Sequence, residues 1–290
     1  MPKGRPLLIT DLDNTIYNWV DFYARSFRAM VHALSREMVL EEDRIIDEFK
    51  TVYKDRGSLE YSFSVQELPS VQLLGSEEIS RLVKIAKGAF SRVRDVHLKP
   101  YPGVRETLTW LLREGGIVVG ATNAPIHQAE QRLKSLHLDS CFTGLVGWEG
   151  YSVPGGIPLT DAIKQRATDG GYRSRIGTLW PLPLSELKPS ATGYIHVITQ
   201  VGASPESTYV VGDSLHKDLQ PAIEVGAVSV WARYGGEFEK KNFDTLLRIT
   251  HWSSEKVNAV YDENAVVPDY AIDTFSELRT IIQVPQTSLF

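Results

Sequence analysis

Four short runs in this chain are apolar almost without interruption: Leu7-Leu8-Ile9, Ile117-Val118-Val119-Gly120-Ala121, Tyr209-Val210-Val211 and Val228-Ser229-Val230-Trp231. A strand with one wet face alternates apolar and polar residues, so runs of this kind imply a sheet covered on both sides. A fifth run of the same type is Leu145-Val146-Gly147-Trp148, and helical spacing fills residues 129–136, 191–201 and 219–225 between the strands. Strand and helix in alternation predict an α/β fold, a doubly wound parallel sheet of Rossmann-like form.

The first strand is separated from the second by a block of different texture. Tyr23, Phe27, Met30, Val31, Leu34 and Met38 recur at helical spacing, and Ile45, Phe49, Val52 and Tyr53 repeat the stripe. Ile79, Leu82, Val83, Ala86, Phe90 and Val93 form a third, with Ser76 and Glu78 near its start. The alternating pattern resumes after Pro100-Tyr101-Pro102-Gly103. The predicted division is a core of residues 1–16 and 99–290 with an all-helical insertion at 17–98. Residues 150–187, rich in Gly and Pro, read as a second, smaller excursion with one helix-like stretch at 160–168. Within it, Trp180-Pro181-Leu182-Pro183-Leu184 reads by default as plain surface packing, with a cover for a site mouth or a self-association patch as alternatives, the latter keeping a homo-oligomer in view. Tyr270-Ala271-Ile272 predicts a late strand, and 275–282 a closing helix.

Composition narrows the function classes. With 290 residues and 42 % hydrophobic content the chain can build its core unaided, and its one cysteine, Cys141, cannot close an internal disulfide. Only three apolar residues follow Pro6, and no apolar run approaches the roughly eighteen needed to span a bilayer. A cytoplasmic protein without a membrane segment is the expectation. The 31 basic and 36 acidic residues are interspersed, net charge −5, which argues against nucleic acid as a partner. A small anionic substrate would have to be held by local chemistry.

In an open parallel sheet, ligands bind beyond the carboxyl ends of the strands. Here those ends carry Asp11 and Asp13, then Thr122 and Asn123, then Asp213 and Asp218, with Lys188-Pro189 in the loop before a helix. Asp11 and Asp13, at i and i+2 on an extended segment, would point the same way and call for a cation between them. The carboxylates, with waters and substrate oxygens, suit a hard octahedral Mg²⁺, and Lys188 would offset the remaining negative charge.

Asp11-Leu12-Asp13-Asn14-Thr15, Thr122-Asn123, Lys188-Pro189 and Gly212-Asp213-Ser214-Leu215-His216-Lys217-Asp218 resemble, in order and spacing, the four motifs of the haloacid dehalogenase superfamily. The helical insertion resembles that family's first (C1-type) cap, which closes over the site and leaves room for a small phosphorylated metabolite. The resemblance implies a Mg²⁺-dependent phosphatase working in two steps. Asp11 would be the nucleophile, and Asp13 the acid and then the base, lending its backbone carbonyl to the metal. Thr122 and the amide of Asn123 would hold phosphoryl oxygens, and Lys188 would stabilise the developing charge. Asp213 would ligate Mg²⁺ directly, with Asp218 in support.

A carboxylate at Asp13 suits a leaving alkoxide, which needs a proton; an enzyme expelling halide needs none there. Thr15 fits the phosphatase pattern better than the mutase one. The alternatives are phosphoryl transfer to another acceptor, dehalogenation on the same fold, or a weakly active binding or regulatory relative. Within the cap, Asn18, Tyr17, Tyr23, the Tyr61-Ser62-Phe63 loop and above all Arg56 are candidates for contacts with the substrate.

Overall fold

The computed structural model describes residues 4–152, 174–250 and 266–284, so the helix-like stretch at 160–168 lies outside the described residues. Seven parallel strands form one sheet: β1 (Leu7–Thr10), β2 (Ile117–Pro125), β3 (Gly144–Trp148), β4 (Thr178–Leu182), β5 (Thr208–Gly212), β6 (Val228–Ala232) and β7 (Tyr270–Ile272). Their order across the sheet is β4-β3-β2-β1-β5-β6-β7. The chain builds outward from β1 on one side as far as β4, then returns to β5 on the other. The switch point is therefore the β1–β5 boundary, where the crevice of a doubly wound sheet opens.

β1 is buried at every position, as its uninterrupted apolar run requires of a strand with helices on both faces. Leu7, Ile9, Val119, Ala121, Val146 and Val210 pack with Tyr194, Val197 and Ala222 in one continuous cluster. The Val104–Arg113 helix packs on β2, and Thr192–Val201 packs on β2 and β3. Cys141 is a buried residue of the core, as its size suggests. Among the described residues no helix is long and apolar enough to cross a membrane.

One strand departs from the reading of the sequence. The Trp180-Pro181-Leu182 stretch, expected to lie in an excursion from the core, is β4, the edge strand beside β3. Pro181 hid it, because proline breaks a ladder; at an edge its missing N–H faces no neighbour.

The chain divides into two compact units, Met1–Asn18 with Pro100–Glu237 and Val257–Phe290, and Trp19–Lys99 with Phe238–Lys256. The second contains the helices Trp19–Met38, Glu42–Arg56 and Ser76–His97 around an aromatic centre. Phe27 meets Phe49 edge-on at 5.2 Å between ring centroids, and Phe49 stacks on Tyr53 at 5.6 Å. Phe238–Lys256 departs from the expected extent of the core, because its helix Lys240–Ile249 packs on Trp19–Met38 and Glu42–Arg56. Asn242 locks it there. Fully buried, it accepts a hydrogen bond from Arg28 at 2.6 Å and donates to Asp21 at 2.7 Å. Asn242→Ala strands both partners and should cost on the order of 1–3 kcal/mol. Chemical denaturation reads this directly, and an unchanged midpoint would show that the contact contributes nothing.

Candidate active site

The turn after β1 sets the site. Asp11 continues the sheet by one residue, its N–H donating to the Val211 carbonyl of β5 at 2.9 Å. The extended path then ends. Ile16 N–H returns to the Leu12 carbonyl at 2.8 Å, and Asn14 takes a left-handed φ of 62°, a conformation asparagine tolerates better than most residues. Asp11 is buried, and Thr15 donates to its Oδ2 at 3.1 Å.

The Lys188 ammonium meets two of the carboxylates directly. Lys188 Nζ donates to Asp11 Oδ1 at 2.6 Å, to Asp218 Oδ1 at 2.6 Å and to the Ala121 carbonyl of β2 at 2.9 Å. Asp13, half-buried, instead has the Arg132 guanidinium 3.6 Å from its Oδ1. The turn at 12–16 brings Asp13 to Arg132 while its charge is still felt at Asp11.

The end of β5 supplies the rest. Leu215–Leu219 form a π-helical turn, a rare geometry that recurs at functional sites. It folds Asp218 back so that its Oδ2 accepts from Ser214 N–H at 3.0 Å. Gly212 makes this possible, since a Cβ there would overlap the Asp218 side chain. Asp213 is held through its carbonyl, which accepts from Trp231 Nε1 at 3.0 Å. One oxygen from each of Asp11, Asp213 and Asp218 lies within 4.8 Å of the others.

Asn123 is reassigned in part. Its side-chain amide donates to the Lys188 carbonyl at 2.7 Å and accepts from Lys188 N–H at 3.1 Å, so the side chain clamps the lysine loop. The Lys188–Pro189 peptide in that loop is cis. Thr122 is buried at the end of β2, where the pairing with β3 becomes irregular, and its hydroxyl accepts from Ala124 N–H at 3.0 Å.

Arg56, a candidate for substrate contact, belongs to the helical unit and is committed there. Both nitrogens of its fork meet Glu67 at 2.7 Å, and it lies over the Tyr61 ring, 5.1 Å from the centroid. Tyr17, Tyr23 and Tyr61 are buried as packing residues.

Three supporting residues escaped the sequence reading. Trp231 holds Asp213, and the Tyr234 hydroxyl donates to the Thr15 carbonyl at 2.8 Å. Gly235 sits so close to the Asn14 carbonyl that no side chain fits. The Gly235-Gly236 pair just after a strand end was the available signal.

Residues 8–169 match the family described as Haloacid dehalogenase-like hydrolase. The chain belongs to that family. A second stretch, 187–252, matches the description HAD-hydrolase-like. Among curated proteins, this haloacid dehalogenase-like hydrolase is similar to a glyceraldehyde 3-phosphate phosphatase of Methanopyrus kandleri, 25 % identical over 95 % of this chain and 96 % of the relative. Its fold is that of a HAD phosphatase from Thermococcus onnurineus (TM-score 0.54, 18 % identity, 97 % of this chain and 99 % of that one). A predicted phosphoglycolate phosphatase from Haemophilus somnus shares it too (TM-score 0.51, 19 % identity, 96 % and 98 %).

The electrostatics of this hydrolase fit a divalent cation. Burial pushes Asp11 up from 3.8 to about 7, with Lys188 opposing and Asp218 and Asp13 adding to the rise. Burial, then Asp11 and Asp218, hold Asp213 well above its ordinary range. Burial works against the Lys188 ammonium, yet Asp11 and Asp218 together keep it charged well above the usual lysine value. Lys217 also faces Asp213 and Asp218, yet two ammoniums against three carboxylates still leave negative charge unbalanced, and an oxygen-only donor set of this kind suits Mg²⁺.

The sign of the pH dependence follows. Without metal, folded Asp11 keeps its proton up to about pH 7 whereas the unfolded chain releases it near 3.8, so the folded state binds more protons in that window. Stability of the chelator-treated protein should therefore fall as pH rises from about 4 to about 7. Thermal melts across this range check it, and Asp11→Asn should flatten the slope. Mg²⁺ at millimolar concentration should raise the melting temperature, by more at pH 8 than at pH 5, because it competes with protons for the same oxygens. A melting curve indifferent to Mg²⁺ would count against a metal site.

Proposed function

We propose that the protein is a Mg²⁺-dependent phosphatase that hydrolyses a small phosphorylated metabolite through an aspartyl-phosphate formed on Asp11. The observation that carries this reading is the buried Asp11 carboxylate, held by Lys188 and Thr15 at the switch point of the sheet, with a second carboxyl two residues on. Phosphomonoester hydrolysis uses all of these groups.

Held by Lys188 on one oxygen and by Thr15 on the other, Asp11 cannot swing away, so attack on phosphorus needs little further ordering. Asp13 donates a proton to the leaving oxygen and later takes one from the attacking water. The Thr122 hydroxyl and the Asn123 backbone N–H bind phosphoryl oxygens, and Lys188 offsets the charge that gathers at the nucleophile. Asp11, Asp213 and the Asp13 carbonyl would hold Mg²⁺. Asp218, both of whose oxygens already accept hydrogen bonds, supports Lys188 and the turn. When bound, the metal supplies the positive charge that lets a carboxylate approach a phosphate dianion.

The helical unit would act as the cap that limits substrates to small molecules. A triose phosphate heads the substrate panel, since the curated relative is named for glyceraldehyde 3-phosphate; phosphoglycolate and nucleoside monophosphates follow. Phosphate release from such a panel should require Mg²⁺, stop with chelator, and fall at least about 10³-fold in Asp11→Asn. Release that persists in that variant would rule out the proposed nucleophile.

A further inference from the structure

We infer that Arg132 is a positioning residue for Asp13: its buried guanidinium fixes the carboxyl group that carries the leaving-group proton. The inference rests on the phosphatase reading and extends it to a residue outside the four motifs.

Arg132 stands where a helix of this kind should be apolar. The helix Ile126–Ser135 buries Ile126, Ala129, Arg132 and Leu133, so the arginine occupies a core-facing slot of the stripe. A charge in such a slot is costly unless it is paired. Its side chain is only 7 % exposed, and it reaches the turn after β1, with Nη1 3.6 Å from Asp13 Oδ1. The fully buried Tyr17 ring lies beside the guanidinium, 5.8 Å from Cζ to centroid, and the Tyr17 carbonyl accepts from Asn14 N–H at 2.7 Å. The ring thus lies beside the guanidinium, and the guanidinium faces Asp13 Oδ1 as an ion pair at 3.6 Å.

This matters for one part of the reaction. As Asp11 forms its bond to phosphorus, the ester P–O bond breaks with its electron pair passing to the leaving oxygen. The Asp13 proton moves to that oxygen, and Asp13 becomes a carboxylate. With Oδ1 directed at Arg132, the other oxygen is left to carry the proton. The negative charge that appears on Asp13, itself half-buried, develops beside a buried cation that water screens less than it would a surface charge. Arg132 therefore contributes where the leaving oxygen needs a proton and contributes little where it does not.

The test compares two esters in the same variant. Glycerol 3-phosphate releases an alkoxide that needs the proton; p-nitrophenyl phosphate releases a phenolate that departs without it. In Arg132→Gln, kcat/KM for the alkyl ester should fall by about 10- to 100-fold, and for the aryl ester by less than about threefold. The ratio of the two is independent of how much of the variant is folded, so a loss of stability does not imitate the effect. Arg132→Lys, which keeps the charge but not the planar fork, should give an intermediate ratio, and it decides the matter if Arg132→Gln cannot be recovered folded. A ratio equal to that of the wild type, through equal losses or none, overturns the assignment. Where glycerol 3-phosphate is not turned over, the alkyl ester of the panel that the wild type hydrolyses fastest takes its place; release of phosphate from no member of the panel and from neither ester overturns the phosphatase reading itself, and this inference with it.

Discussion

The ammonium of Lys188 is the point on which the site depends. It is buried, and a buried cation is tolerable only if it is paired and fully hydrogen-bonded. Its three acceptors come from three places: the residue after β1, the end region of β2 and the turn after β5. One charge thus ties three chain segments to a common centre. Removing it would leave Asp11, Asp213 and Asp218 facing one another across less than 5 Å, a costly arrangement in a low-dielectric setting.

The surrounding structure can be understood as what this centre requires. Asn123 spends its whole side chain on the backbone of Lys188, which keeps the lysine loop at the end of β2. Gly212 gives up a side chain so that Asp218 can fold back under the strand, and Ser214 receives it. Trp231, Tyr234 and Gly235 brace the same edge from the end of β6. The parallel sheet makes this economical, because every strand delivers its carboxyl end to one side.

Most of this frame was legible before any coordinates. Strands that are apolar on both faces admit few architectures, and Asp11, Thr122, Lys188 and Asp213 stand where such strands end. What escaped notice did so for local reasons. β4 was masked by Pro181, which is acceptable only at an edge, and edge position is a property of the assembled sheet. The helix Lys240–Ile249 has a clear amphipathic stripe, but which unit that stripe faces depends on partners distant in the chain. Arg56 was a candidate for substrate contact, and only the fold brings Glu67 to both arms of its fork.

The sequence by itself determined the fold class, the family and the set of polar residues gathered at one edge of the sheet, because strand periodicity and motif order are written along the chain. Tertiary structure alone decided which charges meet. The turn at 12–16 brings Asp13 Oδ1 to face Arg132, the π-helical turn carries Asp218 to Lys188, and Asn123 is engaged by a backbone 65 residues away. Pairing of this kind depends on distances of a few ångströms between segments far apart in sequence, and Coulomb and hydrogen-bond energies change steeply over that range.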